Sequence, residues 1–97
     1  MTPQELAERM KSDIIDDVNA GIVPASVDSF SALHDYTDAN MYGGTEELLE
    51  MLEADSASDE EAMDKLCAIM NPAMDIINAW IKSGGIAEAL RTPPTHN

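Results

Sequence analysis

His34 and Asp38 come nearest, by residue type and spacing, to a metal site in this 97-residue sequence. Because they stand four residues apart, they would share one face of a helix, as two ligands of one ion must. A catalytic zinc normally takes three protein ligands, and the other histidine, His96, lies near the C-terminal end. We therefore expect no metal site and no cofactor. We expect His34 to be a capped, partly buried histidine.

The single cysteine, Cys67, is the one candidate for thiol chemistry. It lies in the apolar run Leu66–Met70, where a cysteine usually packs as a small hydrophobic side chain. The sequence contains no phosphate-binding glycine loop, serine nucleophile elbow or dinucleotide motif. We therefore expect Cys67 to lie in the core, and we expect a protein that is not an enzyme.

Three aromatic residues, Phe30, Tyr36 and Tyr42, are close together in the sequence. Clustered aromatic side chains often mark an interface, because tyrosine combines a large contact area with a polar hydroxyl. We expect Phe30 to pack in the core. For Tyr36 and Tyr42 two interpretations stay open: they are half-buried at the edge of a helix, or they are anchors that hold a partner.

Carboxylates are the most concentrated chemical feature of the chain. Nineteen Asp and Glu residues against five Lys and Arg residues give a formal net charge of −14. Such a charge repels nucleic acid and anionic membranes and attracts basic proteins. Nine of these residues lie in one stretch that holds no Lys or Arg: Glu46, Glu47, Glu50, Glu53, Asp55, Asp59, Glu60, Glu61 and Asp64.

These nine residues would form rows if the stretch is helical. Neighbours three and four residues apart on a helix have Cβ atoms about 5 to 6 Å apart, which is comparable with the phosphate spacing of a nucleic-acid strand. The row could therefore present a DNA-like charge pattern to a basic protein. The alternative is a solvated face that only keeps the protein soluble.

Capping signals and apolar spacing place these residues on helices. Thr2-Pro3-Gln4-Glu5 and Ser58-Asp59-Glu60-Glu61 both have the form of a capping box, and Thr45 would cap the helix that follows it. The pattern predicts an all-α protein, a compact bundle of about four helices at approximately 3–20, 29–41, 46–54 and 59–83. A short turn would follow, then a disordered tail at 92–97, so that residues 1–91 form a single helical domain. Pro72 would kink the last helix, unless two separate helices meet at Asn71-Pro72.

The apolar positions of these helices predict the core. One stripe runs along the first helix through Leu6, Met10, Ile14 and Val18, and Leu48, Leu49, Met51 and Leu52 would face inward from the third. The last helix would supply the centre of the core through Met63, Leu66, Met70, Ala73, Ile77 and Trp80. No targeting segment and no apolar run of membrane-spanning length is visible, so we expect a cytoplasmic protein.

The segment Ser29–Asn40, SFSALHDYTDAN, resembles a segment of small uncharacterised acidic proteins of bacterial phages and plasmids. The resemblance is strongest over residues 22–44 and extends to the stretch Asn71–Met74. Small acidic proteins of mobile elements resemble inhibitors of host defence, some of which act as DNA mimics. The resemblance therefore implies an anti-defence role, by analogy.

Together these observations favour a non-enzymatic acidic module that binds a basic protein. The nine carboxylates would supply the electrostatics and the two tyrosines the anchors. The partner could be the nucleic-acid site of a host defence or DNA-handling protein. One alternative is a small structural or regulatory homo-oligomer joined through the face from Met63 to Trp80. Another is a small-ligand binder that uses the segment His34-Asp35-Tyr36.

Overall fold

Helices alone make up the secondary structure of the part of the chain that the structure describes. A computed structural model of the protein describes residues 1–91, and the tail predicted at 92–97 lies outside the described residues. The α-helices are α1 (Pro3–Asn19), α2 (Phe30–Leu33), α3 (Thr45–Ala54), α4 (Asp59–Lys82) and α5 (Gly85–Arg91), and a 3₁₀ segment spans Ala39–Gly44. No strand occurs between residues 1 and 91, and the predicted all-α bundle is confirmed.

The first helix begins as its sequence predicts. The Thr2 side chain accepts a hydrogen bond from the Glu5 backbone N–H at 3.1 Å, and the Thr2 N–H donates to Glu5 Oε1 at 2.9 Å. Hydrogen bonding to the Thr2 backbone and side chain lowers the pKa of the Glu5 carboxyl. The predicted capping box is therefore confirmed, and it satisfies two amides that the helix would leave unpaired.

Two long helices supply most of the core. Leu6, Met10 and Ile14 of α1 are fully buried, and α1 packs against α4 and the 3₁₀ segment. Burial of a side chain of this size contributes about 1.5 to 3 kcal/mol of transfer free energy. On α4 the buried side chains recur at intervals of four and seven residues: Ala62, Leu66, Ala73, Ile77 and Ile81.

The predicted second helix at 29–41 is wrong in its extent. Its start is confirmed, since the Ser29 side chain caps α2 by accepting from Ala32 N–H at 3.1 Å, and Phe30 is buried as predicted. The helix ends at Leu33, and a new turn begins after Asp38. Asp38 has a non-helical backbone, with φ −83° and ψ 89°, and its side chain accepts from Asn40 N–H. A short polar side chain that bonds the nearby backbone competes with a continuous helix in this way.

The cap of α3 also differs from the prediction. Gly44, with φ +74°, is the N-cap residue, and Thr45 already has helical backbone angles of φ −61° and ψ −28°. An N-cap residue needs an extended backbone to bring its side chain to the first amides. The Thr45 hydroxyl instead donates to the carbonyl oxygen of Asn40, so it ties α3 to the 3₁₀ segment.

Helix α4 is continuous across Pro72, which excludes the alternative of two abutting helices. Proline removes the N–H that would bond to the carbonyl of residue Ala68. Both Pro72 and Ala68 are exposed, so water can satisfy that carbonyl. The predicted kink at Pro72 stays a prediction. None of the helices between residues 1 and 91 combines the length and the apolar character that crossing a membrane requires.

Candidate interaction surface

His34 lies on the surface, not partly buried as predicted. It follows α2 as the C-cap residue, and its ring meets the Phe30 ring edge to face, with the ring centroids 5.6 Å apart. Within residues 1–91 no three His, Cys, Asp or Glu side chains converge as metal ligands would. The structure therefore gives the pair His34 and Asp38 no third ligand among the described residues.

The two tyrosines have opposite environments. The side chain of Tyr36 is 51% exposed, so it is accessible to a partner. Tyr42 is only 6% exposed, and its hydroxyl donates to Asp17 Oδ2 at 2.6 Å. Tyr42 cannot reach a partner without leaving the core, and its predicted role as an anchor is wrong.

Tyr42 and Gly43 are instead held to α1 by two aspartates one helical turn apart. Asp17 accepts the tyrosine hydroxyl, and Asp13 Oδ2 accepts the Gly43 backbone N–H at 2.7 Å. Burial raises the pKa of the Tyr42 hydroxyl, and the hydrogen bond to Asp17 raises it further. These two bonds fix the 3₁₀ segment on α1. In the sequence, the spacing of four residues between Asp13 and Asp17 places both on one face of a helix, but this spacing is common on any acidic helix.

All nine carboxylates predicted as the electrostatic surface are exposed. They occupy α3, the connection to α4 and the first turns of α4, and together they are called the acidic face below. One positive charge lies beside this face: the ammonium group of Lys65 donates to the Asp55 carbonyl at 3.1 Å and lies 3.9 Å from Glu61 Oε1. Glu61 also accepts from Ala57 N–H at 2.6 Å, and Ser58 caps α4 by accepting from Glu61 N–H.

The positions of five carboxylates of the acidic face are explained by local helix stability. Glu46 and Glu47 lie in the first turn of α3, and Asp59, Glu60 and Glu61 lie in the first turn of α4. Negative charge at a helix N-terminus is favourable, because it meets the positive end of the helix dipole.

The other four carboxylates have no such explanation, and three of them lie inside a helix: Glu50, Glu53 and Asp64, with Asp55 directly after α3. Glu50 stands three or four residues from Glu46, Glu47 and Glu53, and Asp64 stands four residues from Glu60. Glu53 lies in the last turn of α3, which contains no basic residue. Like charges at these spacings, and a negative charge at a helix C-terminus, each cost a few tenths of a kcal/mol, about 0.2 to 0.5 for a like-charged pair.

An apolar groove lies beside the acidic face, and the sequence did not predict it. The groove is formed by α3, α4 and the 3₁₀ segment and has a volume of about 530 Å³. It is called the methionine groove below, and its lining residues are Asn40, Met41, Thr45, Glu46, Leu49, Met63, Leu66, Cys67 and Met70.

Several residues of this groove were expected in the core. Met63 is 47% exposed and Cys67 is exposed, so both predictions are wrong. The buried stripe of α4 is rotated toward Ala62, which is 0% exposed, because α4 packs against α1 and α3 at once. Met70 and Trp80 are partly buried against the core.

Met51 of α3 was also expected to face inward. It is 69% exposed, while Leu48 of the same helix is buried. Met51 lies on another side of α3 from the methionine groove, in a depression that it shares with Met1, Glu5 and Arg9.

Comparisons of the chain with protein family models, with curated proteins and with solved structures gave no match. The proposals below therefore rest on the sequence and the geometry of this chain.

Proposed function

We propose that this protein is a non-enzymatic binding module whose acidic face engages a basic surface of another protein. The observation that carries the proposal is the placement of nine exposed carboxylates on one helical hairpin, α3 and α4, in a stretch whose sequence holds no Lys or Arg before Lys65. A charged face of this kind speeds encounter with an oppositely charged partner and fixes its orientation.

The cost of this charge supports a role in binding. Glu50, Glu53 and Asp64 occupy positions where a neutral or basic residue would stabilise the fold better. Proteins often carry unfavourable residues where function needs them, so that activity and stability conflict. A face needed only for solubility could place its charges at sites that cost nothing.

A DNA-mimic form of the same function is the more specific proposal. Acidic residues three and four apart on α3 and α4 have Cβ atoms about 5 to 6 Å apart. The partner would then be a nucleic-acid-handling or defence protein. In that form, duplex DNA and this protein compete for one site on the partner. Added duplex should displace the protein, and a ternary complex with DNA would contradict the mimic form alone.

The homo-oligomer alternative is weaker on this structure. Much of the face from Met63 to Trp80 is used inside the chain, where Ala73 and Ile77 are fully buried. Association of two copies would also bring two chains of formal charge −14 together.

The test compares two variants that carry the same net charge. The face variant carries Glu50→Gln, Glu53→Gln and Asp64→Asn. The control variant carries Asp16→Asn, Asp28→Asn and Asp75→Asn, three exposed carboxylates outside segment 46–64. Each variant loses three negative charges, so its formal charge rises from −14 to −11.

Each bait is used to capture proteins from a cell lysate at low and high salt, and the captured proteins are identified and purified. We expect basic proteins that the wild-type and control baits retain and the face variant loses, with weaker retention at high salt. Equal retention of the same proteins by all three baits at low salt would refute the proposal.

A further inference from the structure

The methionine groove offers a partly open apolar surface beside the acidic face. Met41 is 50% exposed and Met63 is 47% exposed, and both line the groove together with Leu49 and the exposed Cys67. Methionine side chains are flexible and polarisable, so surfaces rich in methionine adapt to apolar partners of different shape. An apolar depression framed by charged residues is typical of an interaction site.

The groove runs along α4 for a length that suits a short helix. Met63 and Met70 mark its extent along α4, and seven helical residues cover about 10 Å. Residues of α3 and α4 form its walls, and the 3₁₀ segment with Asn40 and Met41 forms part of its lining. An amphipathic helix of two to three turns places apolar side chains along such a groove at positions i, i+3 or i+4, and i+7.

The charges around the groove restrict the partner further. Glu46 lines it, Glu50 and Glu53 stand four residues after the lining residues Glu46 and Leu49, and Asp64 stands three residues before Cys67. At these spacings the side chains are neighbours on the helix surface. No Lys or Arg lines the groove within residues 1–91. A helix seated there meets carboxylates on both flanks.

We propose that the methionine groove binds an amphipathic helix of a partner, with Leu- or Met-type residues on its inner side and Lys or Arg on both flanks. This inference rests on the proposed function and names the element of the basic partner that docks. A second copy of this chain is a poor fit, because each helix described between residues 1 and 91 holds at most two Lys or Arg residues. Lys and Arg total five in the whole chain.

The test uses a designed peptide as the probe. It has fourteen residues, with Leu at positions 4, 8 and 11 and Lys or Arg on both sides of that stripe. A control peptide has the same composition with the leucines spread around the helix. Both carry the same charge, so a difference in affinity reports the apolar stripe. We expect the stripe peptide to bind at least about tenfold more tightly, which is 1.4 kcal/mol.

Cys67 provides a readout inside the groove. It is the only cysteine of the chain, it is exposed and it lines the groove. A seated helix should slow alkylation of the Cys67 thiol in proportion to the fraction of protein bound. The stripe peptide should protect Cys67, and the control peptide should protect it much less. Binding of the stripe peptide with no protection of Cys67 would place the peptide elsewhere and overturn the inference.

Matched methionine variants test the apolar contacts. The groove variant carries both Met41→Gln and Met63→Gln, which change two half-exposed side chains of the groove. It should keep the fold, because surface substitutions seldom destabilise a protein. Met51→Gln changes a methionine that is 69% exposed, on another side of α3. We expect the groove variant to bind the stripe peptide about tenfold more weakly and Met51→Gln to bind it as the wild type does.

The outcomes separate this inference from the function on which it rests. Equal affinity of the groove variant and the wild type would overturn the groove inference and leave the acidic face intact. Equal affinity of the stripe peptide for the face variant and the wild type at low salt would refute the claim that the flanking carboxylates attract the basic residues of the helix. Concentration-dependent dimerisation that Met63→Gln abolishes would assign the groove to a second copy and also overturn the inference.

Discussion

The hydrogen bond between Tyr42 and Asp17 fixes one side of the methionine groove, because the same 3₁₀ segment carries Asn40 and Met41. Tyr42→Phe keeps the buried ring and removes only the hydroxyl. The lost bond has an O···O distance of 2.6 Å and a carboxylate acceptor, and it leaves Asp17 without that donor. Hydrogen bonds to charged groups are worth about 1.5 to 3 kcal/mol, and water reaches the partly exposed Asp17, so we expect a loss of about 1 to 2 kcal/mol.

Thermal and urea unfolding followed by circular dichroism measure this loss. For a domain of this size about 1 to 2 kcal/mol corresponds to a fall in Tm of about 4 to 16 °C. Tyr36→Phe is the matched control, because that side chain is 51% exposed and its hydroxyl makes no hydrogen bond within residues 1–91. It should change stability by less than about 0.5 kcal/mol. Equal Tm values for the two variants would refute the role of this bond.

The pH dependence gives a second check on Tyr42. Its pKa in the folded protein is raised above the ordinary value near 10. Below pH 10 both states hold the proton and the contribution of this bond is complete. As pH rises through about 10, the unfolded chain loses the proton first, so the stability difference between the wild type and Tyr42→Phe should shrink. A difference that grows above pH 10 would contradict the assignment.

Two further predictions concern the turn at Gly43 and the charge at Glu53. Gly43→Ala should lower stability by about 1 to 3 kcal/mol in urea unfolding, because Gly43 has φ +77° and a Cβ atom there would lie 2.7 Å from Leu6 Cδ1. Gly21→Ala is its control, since φ is +78° but no atom lies within 4 Å, and an equal loss in both would rule out the contact with Leu6. Glu53→Lys should raise stability by about 0.5 to 1.5 kcal/mol through the helix dipole and relief of repulsion by Glu50, and it should weaken partner binding. A variant that is both more stable and binds as tightly would show that Glu53 has no part in the interface.

The helices followed from local signals, which is why most of the fold was predictable. The Thr2 and Ser29 caps and the stripe Leu6, Met10, Ile14 each depend on residues close in sequence. The division of segment 29–41 depended on Asp38, whose side chain bonds two residues ahead and also suits a surface helix position. Sequence alone does not decide between these two states.

The candidate site was predictable only in its charge. Exposure of the acidic face follows from the cost of burying carboxylates, and all nine residues are exposed. Which apolar residues stay open depends on the rotation of α4 against its neighbours. That rotation buries Ala62 and leaves Met63 and Cys67 accessible, although all three suit an apolar stripe. The burial of Tyr42 could not be predicted for a similar reason, because its hydrogen-bond partner Asp17 lies 25 residues away in the sequence.

The central claim is that the position of the carboxylates, and not their number, decides binding. The direct measurement is the Kd of one captured basic partner, determined by titration calorimetry for the wild type, the face variant and the control variant at low salt. Three flanking charges at about 0.5 kcal/mol each predict about a tenfold weaker Kd for the face variant, and the control variant should match the wild type within about twofold. Equal Kd values for the two variants of identical net charge would contradict the account.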